Sequence, residues 1–265
     1  MNIHVSPEEI YENAYENLSS IPNITTISHL EKNNHNILLI GEIHSTERKS
    51  KQYVKVSKFI NRFVKEYDLD VDLLLEQCVN DESEFRFGAV HKYCRDNSYI
   101  NVIKCDERPN VPLIVCLSRK DLYEIEEVLE NMICLLDIFT KNEDAFIKYI
   151  QVLHTMYKYP LTKTNVTLIR EIHAKNMQLY RDKFKNIFHN AFRELMNDHN
   201  KQNIDIHLKE FLVISQLFFS IILDWAMLYH LQVDSKFKIC YAGDIHIQNL
   251  RTCLLKLGYV EKYSK

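Results

Sequence analysis

The sequence predicts an α/β fold, with a central, mostly parallel sheet flanked by helices and a large helical insertion in the middle of the chain. Three observations carry this. Short apolar runs of strand length end at a glycine or an acid near residues 41, 76, 106 and 243. Helix-length segments separate them, which is the spacing that parallel strands need for their crossovers. Between about Lys120 and Leu231 apolar residues recur almost throughout at helical spacing. At 265 residues the chain can bury a sizeable core. A single domain spanning residues 1–265 is expected, with a helical block at 120–235 inside it.

The elements follow in order. Ser6-Pro7-Glu8-Glu9 reads as a helix start, with Ser6 as N-cap, proline at the first helical position and acids in the first turn. The helix should run to about Leu18. From Ser19 to Asn36 the chain is rich in Ser, Thr, Asn and Pro and reads as irregular, with a short strand around Ile24 to Ile27. Asn36 to Ile40 is a buried strand closed by Gly41, and Tyr53, Val56, Phe59, Ile60, Phe63 and Val64 mark one face of a helix between Ser45 and Tyr67. Val71 to Leu75 and Tyr99 to Cys105 are further strands, ended by Glu76 and Asp106. The helical block holds helices at Leu122 to Thr140, Glu143 to Tyr157, Thr164 to Asn197 and Ile206 to Leu231. Lys236 to Ala242 returns to a strand, and a helix from Ile247 to Leu257 stops at Gly258.

Composition narrows the function classes. With 46% hydrophobic and 26% charged residues and a net charge of -3, the chain has no electrostatic footprint for nucleic acid. Seven cysteines form no C-x-x-C pair, and most lie in or beside apolar runs, so free buried thiols and a reducing, cytoplasmic compartment are expected. The first residues lack the basic-then-apolar order of a secretory signal. Phe211 to Leu231 is long enough to span a bilayer and carries one charge, Asp224. A span there would separate two turns that look like one site, so a buried core helix is expected, with Asp224 paired or at its edge. No membrane association follows.

Those two turns are Gly41-Glu42-Ile43-His44 and Gly243-Asp244-Ile245-His246. Four glycines and 12 histidines should yield a chance Gly-x-x-His about 0.2 times. Three occur. The third, Gly88 to His91, lacks the acid and follows no strand, so context separates the other two: an apolar strand, glycine, an acid, isoleucine, histidine, then a helix. Glycine there permits a tight turn and close backbone approach. In open parallel sheets the carboxyl edge of the strands is where ligands bind. His44, Glu76, Asp106 and His246 would meet on that rim, with Glu42 and Asp244 beside them.

Each residue alone has a plainer reading. A histidine at a strand end is commonly hydrogen-bonded to backbone, and Glu76 could pair with a base such as Arg48. Arg48 and Arg108 follow the first and third strands, where they could stabilise an oxyanion or lie on the surface. His173 and Arg170 read as structural or solvated helix residues. Gathered together, two imidazoles and several carboxylates are costly to bury without a cation, a shared proton or water. Two chemistries fit. A divalent transition metal such as Mn, Co or Zn could bind His44, Glu76 and His246, with one carboxylate as base. Without metal, a histidine oriented by a carboxylate could deprotonate water itself.

These residues resemble the Tiki/TraB family of metalloprotease-like proteins and its wider relatives, the erythromycin esterases and ChaN-like proteins. The likeness rests on ILLIGEIHS, on DLLLEQ after one helix, and on GDIHIQNLRTCLLKLGYVEKY, where the second Gly-x-x-His opens a helix that stops at Gly-Tyr. His173 to Met177 is similar to the family's Arg-Asn-x-x-Met helix segment, with Lys175 in place of its arginine. The resemblance implies His44, Glu76 and His246 as site residues, with Glu42 matching the acid of the esterase-like relatives. It implies a hydrolase cleaving a peptide or small-molecule ester with metal- or His-activated water, and Arg48, Asp106, Arg108 and Asp244 stand as supporting residues. The competing readings are a binding or structural protein that keeps the fold without catalysis, and a calcineurin-like phosphoesterase, whose Asp-x-His and Asn-His-acid turns are missing here.

Overall fold

The computed structural model describes residues 7–44, 50–78, 86–106, 164–173, 220–233 and 237–264, with isolated positions 162, 182, 183 and 186. The chain divides into two compact units, Met1–Asp106 with Ala226–Lys265, and Glu107–Trp225. In the first unit, α1 (Pro7–Leu18), β1 (Ile24–Lys32), β2 (His35–Glu42), α2 (Ser50–Glu66), β3 (Val71–Cys78), α3 (Phe87–Cys94) and β4 (Ile100–Asp106) follow one another. Helix α4 (Ser220–Gln232), β5 (Phe237–Gly243), α5 (Asp244–Lys256) and β6 (Val260–Ser264) complete the described elements outside residues 164–173.

The strands form a six-stranded sheet in the order β4-β3-β5-β2-β1-β6. Strands β4, β3, β5 and β2 pair in parallel, and β1 runs antiparallel to both β2 and β6. The sheet is mixed and mostly parallel, in an α/β fold. The decisive feature is β5, which enters the sheet between β2 and β3 although it follows both by more than a hundred residues. Buried runs explain the centre: every residue of β5 is buried, as are the last six of β2. Alternate residues of these strands face α1, α2 and α3, where Leu38, Ile40, Leu73, Leu75, Ile239 and Tyr241 meet Leu18, Val56, Ile60, Phe63 and Val90. The face of α2 read from its spacing is buried as expected, Val56, Ile60, Phe63 and Val64 completely.

Several expectations are corrected. Ser19 to Asn36 holds no long irregular stretch: β1 and β2 form a hairpin closed by Asn33 and Asn34, both at positive φ (51° and 66°). Two residues at positive φ match the right-handed twist of the strands, and asparagine is among the few side chains that tolerate it. Polar residues of β1, Thr25, Thr26 and Ser28, find tertiary partners. Ser28 donates to Glu261, which also takes a bidentate pair of bonds from Arg251 of α5. That carboxylate holds β6, a strand absent from the sequence reading, on the hairpin edge. Strand β3 runs past Glu76 to Cys78, with a register shift against β4 between Leu75 and Cys78. Helix α5 opens at Asp244, not Ile247, directly from Gly243.

Ser6, residues 45–49, Arg48, Arg108 and the expected helices at 122–140 and 143–157 lie outside the described residues, as do 174–177 and 211–219. In the second unit, residues 164–173 are helical, and His173 Nε2 meets Asp224 Oδ2 at 2.8 Å with both side chains buried. The buried pairing expected for Asp224 is there. No helix among the described residues is long and apolar enough to cross a membrane. Cys94, Cys105, Cys240 and Cys253 are buried free thiols, and burial pushes that of Cys94 up to about 12.

Candidate active site

Because β2 and β5 are parallel neighbours, Gly41 pairs with Ala242 and Glu42 with Gly243, and the two Gly-acid-Ile-His segments end side by side. Neither glycine has positive φ. Their value is close approach. A Cβ on Gly243 would stand 3.0 Å from His44 Nε2 and 3.1 Å from Glu76 Oε2, and one on Gly41 would stand 2.6 Å from Asp244 Oδ1. Each glycine therefore makes room for a residue from the neighbouring strand's turn. The third Gly-x-x-His, Gly88 to His91, lies inside α3, away from any strand end.

Four expected residues come together. His44 Nδ1 donates to Glu42 Oε1 at 3.0 Å, and His44 Nε2 faces Glu76 Oε2 at 3.5 Å. His246 Nε2 faces the other oxygen of Glu76 at 3.6 Å. The order in space is Glu42, His44, Glu76, His246, drawn from the end of β2 and the segment just after it, from β3 and from the first turn of α5. Glu76 is held from the backbone, since Gly243 N–H donates to its Oε2 at 2.7 Å. It sits where the register of β3 and β4 slips, and such irregularities commonly re-aim a side chain beside a functional site.

Glu42 is fully buried, and its charge is met by four donors. Oε1 accepts from His44 and from the Tyr53 hydroxyl at 3.0 Å, and Oε2 accepts from Gln52 Nε2 at 2.8 Å and from the Tyr241 hydroxyl. Gln52 is itself fixed, accepting from Asn23 Nδ2 at 3.1 Å. The Glu42 hydrogen bond is the largest influence on His44 and, with that to Glu76, outweighs burial, raising its pKa to about 9. At neutral pH the imidazole is therefore protonated between two carboxylates. Burial, then the Glu42 charge, pushes Tyr53 and Tyr241 upward, so both hydroxyls remain donors. Phe87 closes one side, edge-on to His44 at 5.8 Å and to Tyr241 at 5.0 Å.

Asp244 plays another part. Its Oδ1 accepts from Thr25 and Thr26 of β1, and Gln248 donates to Thr26 Oγ1 at 2.8 Å, so it ties the opening of α5 to the hairpin. Asp106 ends β4, in register with Cys78. Gln52, Tyr53, Tyr241 and Phe87 were missed as site residues. Tyr53 was visible only as part of the apolar face of α2, and nothing in the spacing separates a core tyrosine from one whose hydroxyl meets a buried acid.

Among the described residues no group of three or more His, Cys, Asp or Glu side chains is arranged as a cation site. The donor set still has the chemistry of one. His44 and His246 both turn Nε2 to the same carboxylate, and His44 Nδ1 bonds Glu42, the outer-shell pattern that orients a metal-binding imidazole. Comparison of the chain with protein-family models, curated proteins and solved structures found no match.

Proposed function

We propose that this chain is a hydrolase of the Tiki/TraB type, adding water to the carbonyl of a peptide or ester at the Glu42–His44–Glu76–His246 cluster. The observation that carries the reading is His44 suspended between a buried, fully bonded carboxylate and a second carboxylate shared with His246. A histidine that only stabilised the turn would need one partner, not a relay across three elements. A divalent ion such as Mn, Co or Zn would displace the proton of His44 Nε2 and be held by that nitrogen, Glu76 and His246 Nε2, and it would polarise the carbonyl and acidify water.

The protein groups divide the rest of the work. Glu42 acts through His44: it fixes the ring and keeps a proton on Nδ1. Where no ion is bound, Glu76 would take the proton of an attacking water as the new C–O bond forms. That proton then passes to the leaving nitrogen or oxygen as the scissile bond breaks, so the carboxylate is restored. His44 is the member that solvent reaches, with its side chain 33% exposed against 7% and 6% for Glu76 and His246. A substrate therefore meets His44 first, and the deeper pair is shielded from bulk water.

The test is hydrolysis of p-nitrophenyl esters and of a mixed peptide library by the purified chain, with chelator and with each ion added back. Glu76→Gln, His44→Ala and His246→Ala should each lower the rate by at least about a hundredfold. If none of the three changes hydrolysis or metal content, the reading is lost.

A further inference from the structure

Both histidine turns are tied to one short segment, Asn23 to Thr26, where β1 begins, and that segment supplies no group to the cluster itself. On one side stands Asn23. Its carbonyl accepts from the N–H of Ile43, the residue between Glu42 and His44, at 2.9 Å. Its side chain donates to Gln52 Oε1 at 3.1 Å, which leaves the Gln52 NH2 group to face Glu42 Oε2 at 2.8 Å. Asn23 does this at a φ of 69°, a left-handed conformation that asparagine tolerates better than most side chains.

On the other side, the Thr25 and Thr26 hydroxyls both donate to Oδ1 of Asp244, the first residue of α5 and two before His246. Gln248, one turn further along, donates to Thr26 Oγ1 at 2.8 Å. In a regular strand consecutive side chains point to opposite faces and do not share an acceptor. Here the ladder slips. Ile24 pairs with Glu42 and Thr26 with Gly41, so two steps along β1 match one along β2 and Thr25 is the extra residue. Such a bulge re-aims a side chain, and it lets both hydroxyls reach one oxygen. Gly41 keeps the space open, since a Cβ there would stand 3.0 Å from Thr26 Cβ as well as 2.6 Å from Asp244 Oδ1. The backbone beside Asp244 is also in use, because Gly243 N–H holds Glu76 Oε2 at 2.7 Å.

We infer that Asn23, Thr25 and Thr26 are positioning residues, a bracket on the bulged start of β1 that sets both turns so that His44 and His246 reach the two oxygens of Glu76 together. This rests on reading the cluster as a hydrolase site, and it adds residues that act through others. Asn23 works through Gln52 and Glu42, and the threonines work through Asp244.

The test first reads the site without substrate or metal. In the metal-free full chain, amide hydrogen exchange and the ring signals of His44 and His246 are followed by NMR. The double variant Thr25→Val, Thr26→Val keeps both shapes and removes both hydroxyls. Its Gly243 N–H should exchange at least about tenfold faster and both ring signals should move, while Leu74 and Cys240, paired within the sheet, keep their protection. Thr25→Ser, Thr26→Ser retains the hydroxyls and should behave as the unaltered chain does. Asn23→Gly keeps the left-handed backbone and the carbonyl, loses the bond to Gln52, and should move the His44 ring signals. An unchanged Gly243 rate with unmoved ring signals overturns the inference, as does a loosening that reaches Leu74 and Cys240 equally or that the serines reproduce. Should the valine pair fail to fold, Asn23→Gly decides alone, and His44 signals that stay in place overturn the bracket. Hydrolysis of p-nitrophenyl acetate is measured in parallel. In an active chain the valine pair should lower kcat about tenfold with KM unchanged, because none of the three residues belongs to the cluster, and an unchanged kcat overturns the positioning role. If exchange and ring signals respond while the unaltered chain cleaves neither ester nor peptide, the bracket stands and the hydrolase reading fails.

Discussion

Replacing Glu42 by glutamine keeps the side-chain shape and removes its charge, so it isolates what the buried carboxylate does. Four donors converge on it, two per oxygen. In the amide one oxygen becomes an NH2 group, itself a donor, and two of the four must adapt. A tyrosine hydroxyl can rotate and accept. Gln52 can flip only by giving up the bond from Asn23, and His44 can adapt only by losing its Nδ1 proton. Bonds to a charged acceptor are each worth roughly 1.5–3 kcal/mol against 0.5–1.5 for neutral ones. Relief of the carboxylate's burial offsets part of the loss. The variant should be destabilised by about 2–3 kcal/mol.

The same change alters the pH dependence. His44 stands at about 9 in the folded protein, above its ordinary 6.5. A raised pKa stabilises the fold fully below 6.5, and that contribution fades as pH rises through 9. The metal-free protein should therefore lose stability between pH 6.5 and 9. In Glu42→Gln the largest cause of the elevation is gone, the His44 pKa should fall by about one unit or more, and the slope should flatten. Urea melts at pH 6, 7, 8 and 9 with chelator, together with NMR titration of the His44 ring, measure both. An unchanged unfolding midpoint with His44 still titrating near 9 in the variant would refute the account of Glu42.

Two further substitutions test the frame around the site. Gly243→Ala places a methyl against the movable side chains of His44 and Glu76, at a φ of -58° that alanine accepts. It should cost less than about 1 kcal/mol of stability yet lower hydrolysis by about tenfold, because it displaces the reacting groups. Gly41→Ala meets Asp244 Oδ1 at 2.6 Å and the Asp244 Cα at 3.3 Å, so it should instead lower thermal stability by about 2 kcal/mol; equal effects of the two alanines on melting would contradict the different environments. Lys238 is fully buried in β5 and bonds Asp72 Oδ2 at 2.9 Å. Lys238→Met removes the cation from Asp72, which keeps its bond from Asn101 Nδ2, and should cost about 2–4 kcal/mol in a urea melt.

Periodicity was enough for the strands and helices whose burial is one-sided or complete. The buried face of α2 and the apolar runs of β2, β3 and β5 could be read because each is decided by local composition. The hairpin of β1 and β2 was not, because its evidence is a pair of asparagines at positive φ and polar strand residues whose partners, such as Glu261, lie more than two hundred residues away. Strand β6 was missed for the same reason. Its alternation of exposed and half-buried residues is slight, and its place depends on the Arg251 and Ser28 bonds to Glu261.

For the candidate site, the sequence alone determined which residues are eligible. Glycine followed by acid, isoleucine and histidine at the end of an apolar strand marks a rim, since side chains there leave the sheet and become available to a ligand. Their meeting was decided by tertiary structure. The parallel insertion of β5 between β3 and β2 brings Glu76 and His246 to His44. Only folding makes the glycines' missing side chains matter, because the atoms that would collide with a Cβ belong to other strands' turns. The same holds for Glu42: its acid is plain in the sequence, but its burial against Gln52, Tyr53 and Tyr241, which charges His44, arises only when strand and helix pack face to face.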